Sequence, residues 1–147
     1  MWMSHASRAM QLPTPSSQQT TKDSTLSRMA FRYRKFKVYQ DALLLHSRAA
    51  HLAERFPREY WRLADQLRRA ALSVPLNIAE GSAKESDKDF NRFVAISLGS
   101  VNETAACCEV ALGAKLISDS EFSGMEALAL EVTNQLGGLS KKLRAKL

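Results

Sequence analysis

The sequence has 147 residues, of which 45% are hydrophobic and 24% charged, with six glycines and four prolines. This length suits a single domain, and the composition excludes collagen-like and wholly disordered chains. The formal net charge of +6 is unevenly placed: residues 31–69 carry ten basic and four acidic side chains, residues 70–131 carry four and ten, and residues 132–147 carry four and none. Such a pattern suits either a polyanionic partner or copies of the chain that meet head to tail.

The first thirty residues differ from the rest of the chain. Residues 1–30 are rich in Ser, Thr and Gln and show no sustained apolar period, which predicts a disordered leader. They lack the apolar core, at least about seven residues long, that a secretory signal peptide requires. Met29 offers a second start codon, so translation begins at either Met1 or Met29.

Two helices are predicted over the first half of the domain that follows, residues 31–147. The first helix covers residues 36–56, where apolar residues recur at alternating spacings of four and three, the period of a bundle seam. Pro57 ends it, because the residue before a proline avoids the helical region. The second helix begins near Glu59 and ends at Gly81, a residue type that favours the helix C-cap.

Two further helices are predicted over the second half. Ser86 followed by Asp89 resembles a capping box and opens the third helix, which extends to about residue 116. Ser118 followed by Glu121 is a better capping box and opens the fourth helix. No apolar alternation of the kind that indicates strands is present. The prediction is an all-α fold, an antiparallel up-down-up-down four-helix bundle.

A polar stripe runs beside the apolar seam of the second helix, which also contains Pro75. The proline should kink the helix without ending it, and Gly99 on the third helix should let another backbone come close. Each buried polar group without a partner costs roughly 1–3 kcal/mol, so we expect the stripe to form an internal hydrogen-bond network that holds the helices in register. The predicted network consists of Gln66, Ser73, Asn77, Glu80, Ser100 and Glu103.

No catalytic, metal or cofactor site is predicted. Glu80 and Glu103 could act as a catalytic carboxylate pair, but buried polar groups more often only satisfy one another. A di-iron bundle requires two Glu-x-x-His motifs, and neither His46 nor His51 has a glutamate three residues before it. The adjacent Cys107 and Cys108 are interpreted as buried thiols in a reducing compartment.

The second helix carries more apolar surface than one bundle can cover. Leu72, Leu76 and Ala79 lie nearly opposite the seam residues Ala70 and Val74 on a helical wheel. This outer face indicates an interface with another copy of the chain, so a homo-oligomer is predicted. A membrane span is not expected, because no run of about 20 apolar residues occurs.

Residues 56–116 carry a resemblance to a known family. The motif SVPLNIAEG at residues 73–81 is followed by GSVNE at residues 99–103, and FKVYQDA occurs at residues 36–42. With these motifs the chain, over about residues 34–147, resembles the small four-helix-bundle proteins first noted as reading frames within intervening sequences of 23S ribosomal RNA genes. It is more distantly similar to the accessory variability determinants of diversity-generating retroelements. Ser97 departs from the family's usual alanine.

The resemblance implies an antiparallel four-helix bundle that assembles as a ring-like homopentamer without enzyme activity, and it suggests association with nucleic acid. The function expected first is therefore a nucleic-acid-associated adaptor, linked to RNA or the ribosome, in the cytoplasm. Base recognition is not expected, because basic and aromatic residues are not interleaved as in stacking platforms. Candidate phosphate contacts are Arg48, Arg55, Arg62, Arg68 and Arg69, whose alternative role is to pair with acids or cover apolar surface.

Two other functions remain open at this stage. The protein is a scaffold for a reverse transcriptase or a ribosome-linked protein, without touching RNA or DNA itself, or it is an enzyme that uses Glu80 and Glu103. The scaffold is the main alternative.

Overall fold

The computed structural model describes residues 27–28 and 30–146. The predicted leader lies outside the described residues except for positions 27, 28 and 30. Residues 31–147 form a separate unit, and within its described part there is no strand. Its helices are α1 (Lys37–Glu54), α2 (Trp61–Ser82), α3 (Asp87–Gly113) and α4 (Asp119–Ala145), with short 3-10 turns at Arg32–Lys35 and Arg58–Tyr60.

Each helix packs against its neighbours in the order of the chain, and α4 packs back against α1. This arrangement confirms the predicted four-helix bundle. The apolar seams meet on the bundle axis, where burying one large aliphatic side chain contributes about 1.5–3 kcal/mol. The largest fully buried aliphatic side chains are Leu45 on α1, Leu67, Val74 and Ile78 on α2, Val94 and Val101 on α3, and Val132 and Leu136 on α4.

The two predicted capping boxes form to different extents. At the start of α4 the box is complete, because the Glu121 amide donates to Ser118 Oγ and the Ser118 amide donates to Glu121 Oε1, each across 3.0 Å. At the start of α3 only the first half forms: Ser86 Oγ accepts from the Asp89 amide across 3.1 Å. The aspartate side chain is one methylene shorter than the Glu or Gln of a capping box, and it does not reach back.

The C-terminal end of α3 comes earlier than predicted. The helix ends at Gly113, and Lys115 takes a left-handed conformation with φ 60°. The Leu116 amide then donates to the Ala111 carbonyl across 2.9 Å. This six-residue closure satisfies a carbonyl at the helix end and turns the chain toward α4.

The prediction that Gly81 caps α2 is wrong. The helix continues to Ser82, and its C-cap is Ala83 with an ordinary φ of −87°. Gly81 is required for close packing instead: a Cβ at this position would lie 2.7 Å from Phe93 Cβ and 2.8 Å from Phe90 Cδ2. Gly99, expected to admit a close backbone, would have nothing within 4 Å of an added Cβ inside the described chain.

Pro75 is buried, and α2 is continuous through it. Because proline has no N–H, the Ala71 carbonyl loses its donor within the helix. The Asn77 side chain does not supply a replacement donor to the Ala71 carbonyl; its Nδ2 donates to the Ser73 carbonyl instead, across 2.8 Å. Beside the proline, the buried Ser97 donates to the Val74 carbonyl across 3.0 Å. The departure from alanine at position 97 therefore adds a bond between α3 and α2.

Candidate nucleic-acid interface

Two of the predicted phosphate contacts are exposed at the C-terminal end of α1: Arg48 lies within the helix, and Arg55 is its C-cap. Arg48 lines an open depression of about 400 Å³ between α1 and α4, together with His51 and Ser120. Arg55 is ion-paired with Glu121, the same carboxylate that caps α4. The pKa of Glu121 lies below its usual value because the carboxylate accepts from the Ser118 amide and is paired with Arg55. Arg55 is thus already engaged by a carboxylate of its own chain.

The other three predicted contacts lie on α2 and are exposed. Arg69 Nε donates to Asp65 Oδ2 across 2.8 Å. The Arg62 guanidinium lies 5.4 Å from the centroid of the Trp61 ring. Arg68 makes no ion pair among the described residues. The structure does not gather the five arginines into one cationic patch, since two of them already have acidic partners.

The predicted polar stripe joins α2 to α3 through two contacts. In the first contact, Ser100 Oγ of α3 donates to Ser73 Oγ of α2 across 2.7 Å. Within α2, Asn77 Nδ2 donates to the same Ser73 oxygen across 2.9 Å. In the second contact, the side-chain Nε2 of Gln66, about two turns before Ser73 on α2, donates to the Glu103 carboxylate of α3. The predicted residues thus form two separate groups, the half-buried Ser73 and Asn77 with the buried Ser100, and the exposed pair Gln66–Glu103.

Glu80 does not join this network. It is exposed and makes no side-chain hydrogen bond with any described residue. At 100° per residue it lies further toward the outside of α2 than Asn77 does. Because Glu103 is engaged by Gln66 and Glu80 stands apart, these two residues do not form the paired carboxylates that general acid–base catalysis uses.

The predicted oligomer face is open in the single chain. Leu72 and Leu76 are exposed on the outer side of α2, and Ala79 beside them is half-buried. On α3, Ile96 and Val110 are also exposed. Leu72 and Leu76 form what we call the outer apolar face.

The strongest concentration of positive charge lies at one end of the bundle, where the helical spacing of the arginines did not predict it. Antiparallel packing brings together the N-terminal ends of α1 and α3 and the C-terminal ends of α2 and α4. Arg32 Nε donates to the Ser82 carbonyl across 2.6 Å, and Ser140 Oγ donates to Asn91 Oδ1 across 2.7 Å. These bonds fix segments that are 50 and 49 positions apart in the sequence.

We call this surface the basic end: residues 31–37, 80–92 and 137–146. It holds eleven Lys and Arg against four Asp and Glu, a net charge of +7. Counting Asp41 and Glu131, which both pair with Lys37, still leaves an excess of five. The basic residues are Arg32, Arg34, Lys35, Lys37, Lys84, Lys88, Arg92, Lys141, Lys142, Arg144 and Lys146.

The opposite end has the reverse balance. Residues 48–66 and 109–126 hold five basic and seven acidic side chains, a net charge of −2. Three of the five predicted arginines, Arg48, Arg55 and Arg62, belong to this end. The bundle is therefore polarised along its axis, and its field attracts a polyanion to the basic end.

Aromatic rings are interleaved with the charges at the basic end, so the prediction of no interleaving is wrong. The sequence FRYRKFK at residues 31–37 alternates the two residue types, and this was the missed signal. Cations also lie over rings, whose faces attract positive charge, both within one segment and, for Arg32 with Phe90 and Lys84 with Phe93, between segments. The pairs, with cation-to-centroid distances, are Arg34 over Phe31 at 4.4 Å, Arg32 over Phe90 at 5.5 Å, and Lys84 and Arg92 over Phe93 at 5.1 Å each.

The described part of the chain shows neither a metal cluster nor a membrane-spanning helix. There, no three His, Cys, Asp or Glu side chains are placed to share a metal ion. None of the described helices is long and apolar enough to cross a bilayer. Cys107 and Cys108 are both free and buried, and burial raises the pKa of the Cys108 thiol to about 11. Neither thiol is poised as a nucleophile, since the reactive form is the thiolate.

Comparison with known proteins bears on the fold and the family. The family model described as 23S rRNA-intervening sequence protein matches residues 34–138. A crystal structure at 1.70 Å of a protein with unknown function from the S23 ribosomal protein family, from Bacteroides thetaiotaomicron VPI-5482, superposes with a TM-score of 0.68. That match covers 71% of this chain and 98% of the other at 22% identity, which shows a shared fold. No curated protein matches the sequence.

Proposed function

This chain belongs to the 23S rRNA-intervening sequence protein family, and we propose that it is a non-enzymatic adaptor that binds RNA as a homo-oligomer. The observation that carries the proposal is the basic end. Eleven Lys and Arg from three separate segments of the chain converge there. Neither the family description nor that of the structural relative names a catalytic activity.

The chemistry of the basic end suits a phosphate backbone. Each phosphate that a Lys or Arg neutralises releases condensed counterions, so affinity grows with the number of contacts and falls steeply with salt. The cations come from helix ends and a turn, and such a surface does not present one helix for insertion into a groove. Recognition by shape and charge is therefore favoured over reading of a long base sequence.

Assembly would multiply this surface. The outer apolar face leaves Leu72 43% and Leu76 56% exposed on α2, and such a surface is sheltered when copies of the chain meet. The family resemblance implies five copies in a ring. If the subunits are parallel, their basic ends lie on the same side of that ring and form one multivalent surface.

The proposal is tested by titrating the purified full-length protein with a structured RNA at several salt concentrations. We expect the logarithm of the association constant to fall linearly with the logarithm of the salt concentration. No salt-sensitive binding below about 10 µM protein would refute it.

A second candidate function rests on the outer apolar face itself. Leu72 and Leu76 are presented on one outer surface, which a client protein such as a reverse transcriptase or a ribosome-linked protein could cover. In that case a pull-down recovers the client without RNA, and the client competes with self-assembly. The free cysteines support placing either function in the reducing cytoplasm.

A further inference from the structure

Phe31 is held in a conformation that its residue type disfavours. Its φ of 58° and ψ of 21° lie in the left-handed region. Only one other non-glycine residue of the described chain, Lys115, has a positive φ, and that one serves a helix end. A bulky side chain in this region is a genuine outlier, and such outliers concentrate at functional sites.

The strained turn presents the Phe31 ring to solvent and braces it at the same time. The ring is 59% exposed. The Arg34 guanidinium lies 4.4 Å from its centroid, and the Tyr33 ring meets it edge-on at 6.3 Å. Tyr33 in turn packs against Tyr39 of α1, with centroids 4.7 Å apart. The exposed ring is thus braced against the bundle, with the Arg34 guanidinium over one of its two faces.

A second exposed aromatic residue shows which feature matters. Trp61 is 60% exposed and also has a guanidinium nearby, that of Arg62. It lies at the end with a net charge of −2, however, whereas Phe31 belongs to the basic end with +7. Of these two residues, Phe31 alone combines an open ring with a field that attracts phosphate.

From this juxtaposition, and resting on the proposed function, we infer that Phe31 stacks on an unpaired base of RNA while Arg34 contacts its phosphate. In a continuous duplex the base faces are hidden within the stack, so an aromatic side chain can stack only on bases in single strands, loops and ends. The protein therefore prefers single-stranded or looped RNA to an uninterrupted helix of equal charge.

The test compares two RNAs with equal numbers of phosphates, an unstructured single strand and a loop-free duplex of two annealed strands, in titrations with the full-length protein. Wild type binds the unstructured RNA more tightly. Phe31→Ala weakens that binding by about tenfold or more, the scale of one base stack, and leaves duplex binding unchanged. Phe31→Trp restores stacking and affinity. The matched control Trp61→Ala binds both RNAs like wild type.

The salt dependence separates this inference from the function on which it rests. Phe31→Ala should keep the wild-type salt slope, because the phosphate contacts remain. If Phe31→Ala binds both RNAs as wild type does, or wild type shows no preference, the inference is wrong while salt-dependent binding still supports the adaptor. If wild type binds neither RNA, both the stacking inference and the proposed RNA-binding function are wrong.

Two further readouts distinguish stacking from other roles of the ring. Phe31→Leu retains apolar bulk without a π face and must weaken binding as much as Phe31→Ala does if stacking is the cause. Should Phe31→Ala change the mass of the assembly and leave RNA binding intact, the ring serves contact between copies of the chain and the inference is overturned.

Discussion

The backbone of Gly81 lies so close to Phe93 that a Cβ at position 81 would come within 2.7 Å of the Phe93 Cβ. This contact lies where α2 and α3 converge near the basic end. It explains a glycine inside a helix, where the residue is otherwise unfavourable by about 1 kcal/mol relative to alanine.

Gly81→Ala should therefore destabilise the protein despite its better helix propensity. We expect a destabilisation of about 1–3 kcal/mol, because α2 and α3 must separate to admit the methyl group. The matched control is Gly137→Ala on α4, where an added Cβ meets nothing within 4 Å and the change should stabilise by up to about 1 kcal/mol. Urea unfolding measures both variants. Equal effects of the same sign would show that Gly81 is not a packing residue.

The location of the RNA surface is tested by removing the same number of charges from each end. Replacing Lys35, Lys141 and Arg144 by Gln should lower the slope of log affinity against log salt by roughly 0.7–0.9 for each phosphate that is no longer neutralised. Replacing three arginines at the other end should leave that slope unchanged. The control positions are Arg48, Arg58 and Arg62. A larger effect of the control set would place the interface at that end, which holds the predicted contacts Arg48 and Arg62.

Assembly through the outer apolar face is tested at Leu76. Leu76→Glu places a charge where a neighbouring copy would bury it, and an unpaired buried charge is strongly unfavourable. We expect light scattering to report a smaller assembly. Leu130→Glu on α4, a residue that is 60% exposed in the single chain, is the matched control and should keep the wild-type mass. An unchanged mass for Leu76→Glu excludes that residue from the interface.

The ion pair between Glu121 of α4 and Arg55 at the end of α1 should weaken in acid. The pKa of Glu121 in the folded state lies below the ordinary value of 4.5, first through the Ser118 amide and then through Arg55. A lowered folded pKa stabilises the protein above the unfolded pKa, and that stabilisation is lost as the pH falls through the folded value. The window of this destabilisation therefore lies below about pH 4.5.

Glu121→Gln keeps the capping geometry and removes the charge. At pH 7 it should destabilise by no more than about 1 kcal/mol, since the ion pair is partly exposed and screened. The difference from wild type should be smaller at pH 3, below the ordinary value of 4.5, than at pH 7. Glu126→Gln, at an exposed position five residues further along α4, should show no change between the two pH values relative to wild type in urea unfolding. A difference for Glu121→Gln that is as large at pH 3 as at pH 7 would point to altered packing instead of the missing charge.

Much of the bundle was predictable because its signals are local. The seam spacing and Pro57 located α1, and the Ser118–Glu121 capping box located the start of α4 to the residue. Such signals depend on a few neighbouring positions and on backbone preferences that hold in any protein. Ser73 and Ser100, both named in the predicted polar network, are joined by a hydrogen bond between α2 and α3.

What the sequence did not reveal depends on contacts between helices. The cap prediction at Gly81 fails because the contacts that require a glycine there come from Phe90 and Phe93 on another helix. Arg55, predicted as a phosphate contact, is ion-paired with Glu121 at the start of α4. In both cases the partner lies on another helix.

The sequence alone determined four amphipathic helices and the family to which they belong, because helix period, capping and motif residues are properties of short segments. Only the tertiary structure decided that residues 31–37 and 141–146 lie at one end and form, with the start of α3, a single basic surface. Electrostatic attraction depends on distance through space, and antiparallel packing sets that distance independently of separation along the chain.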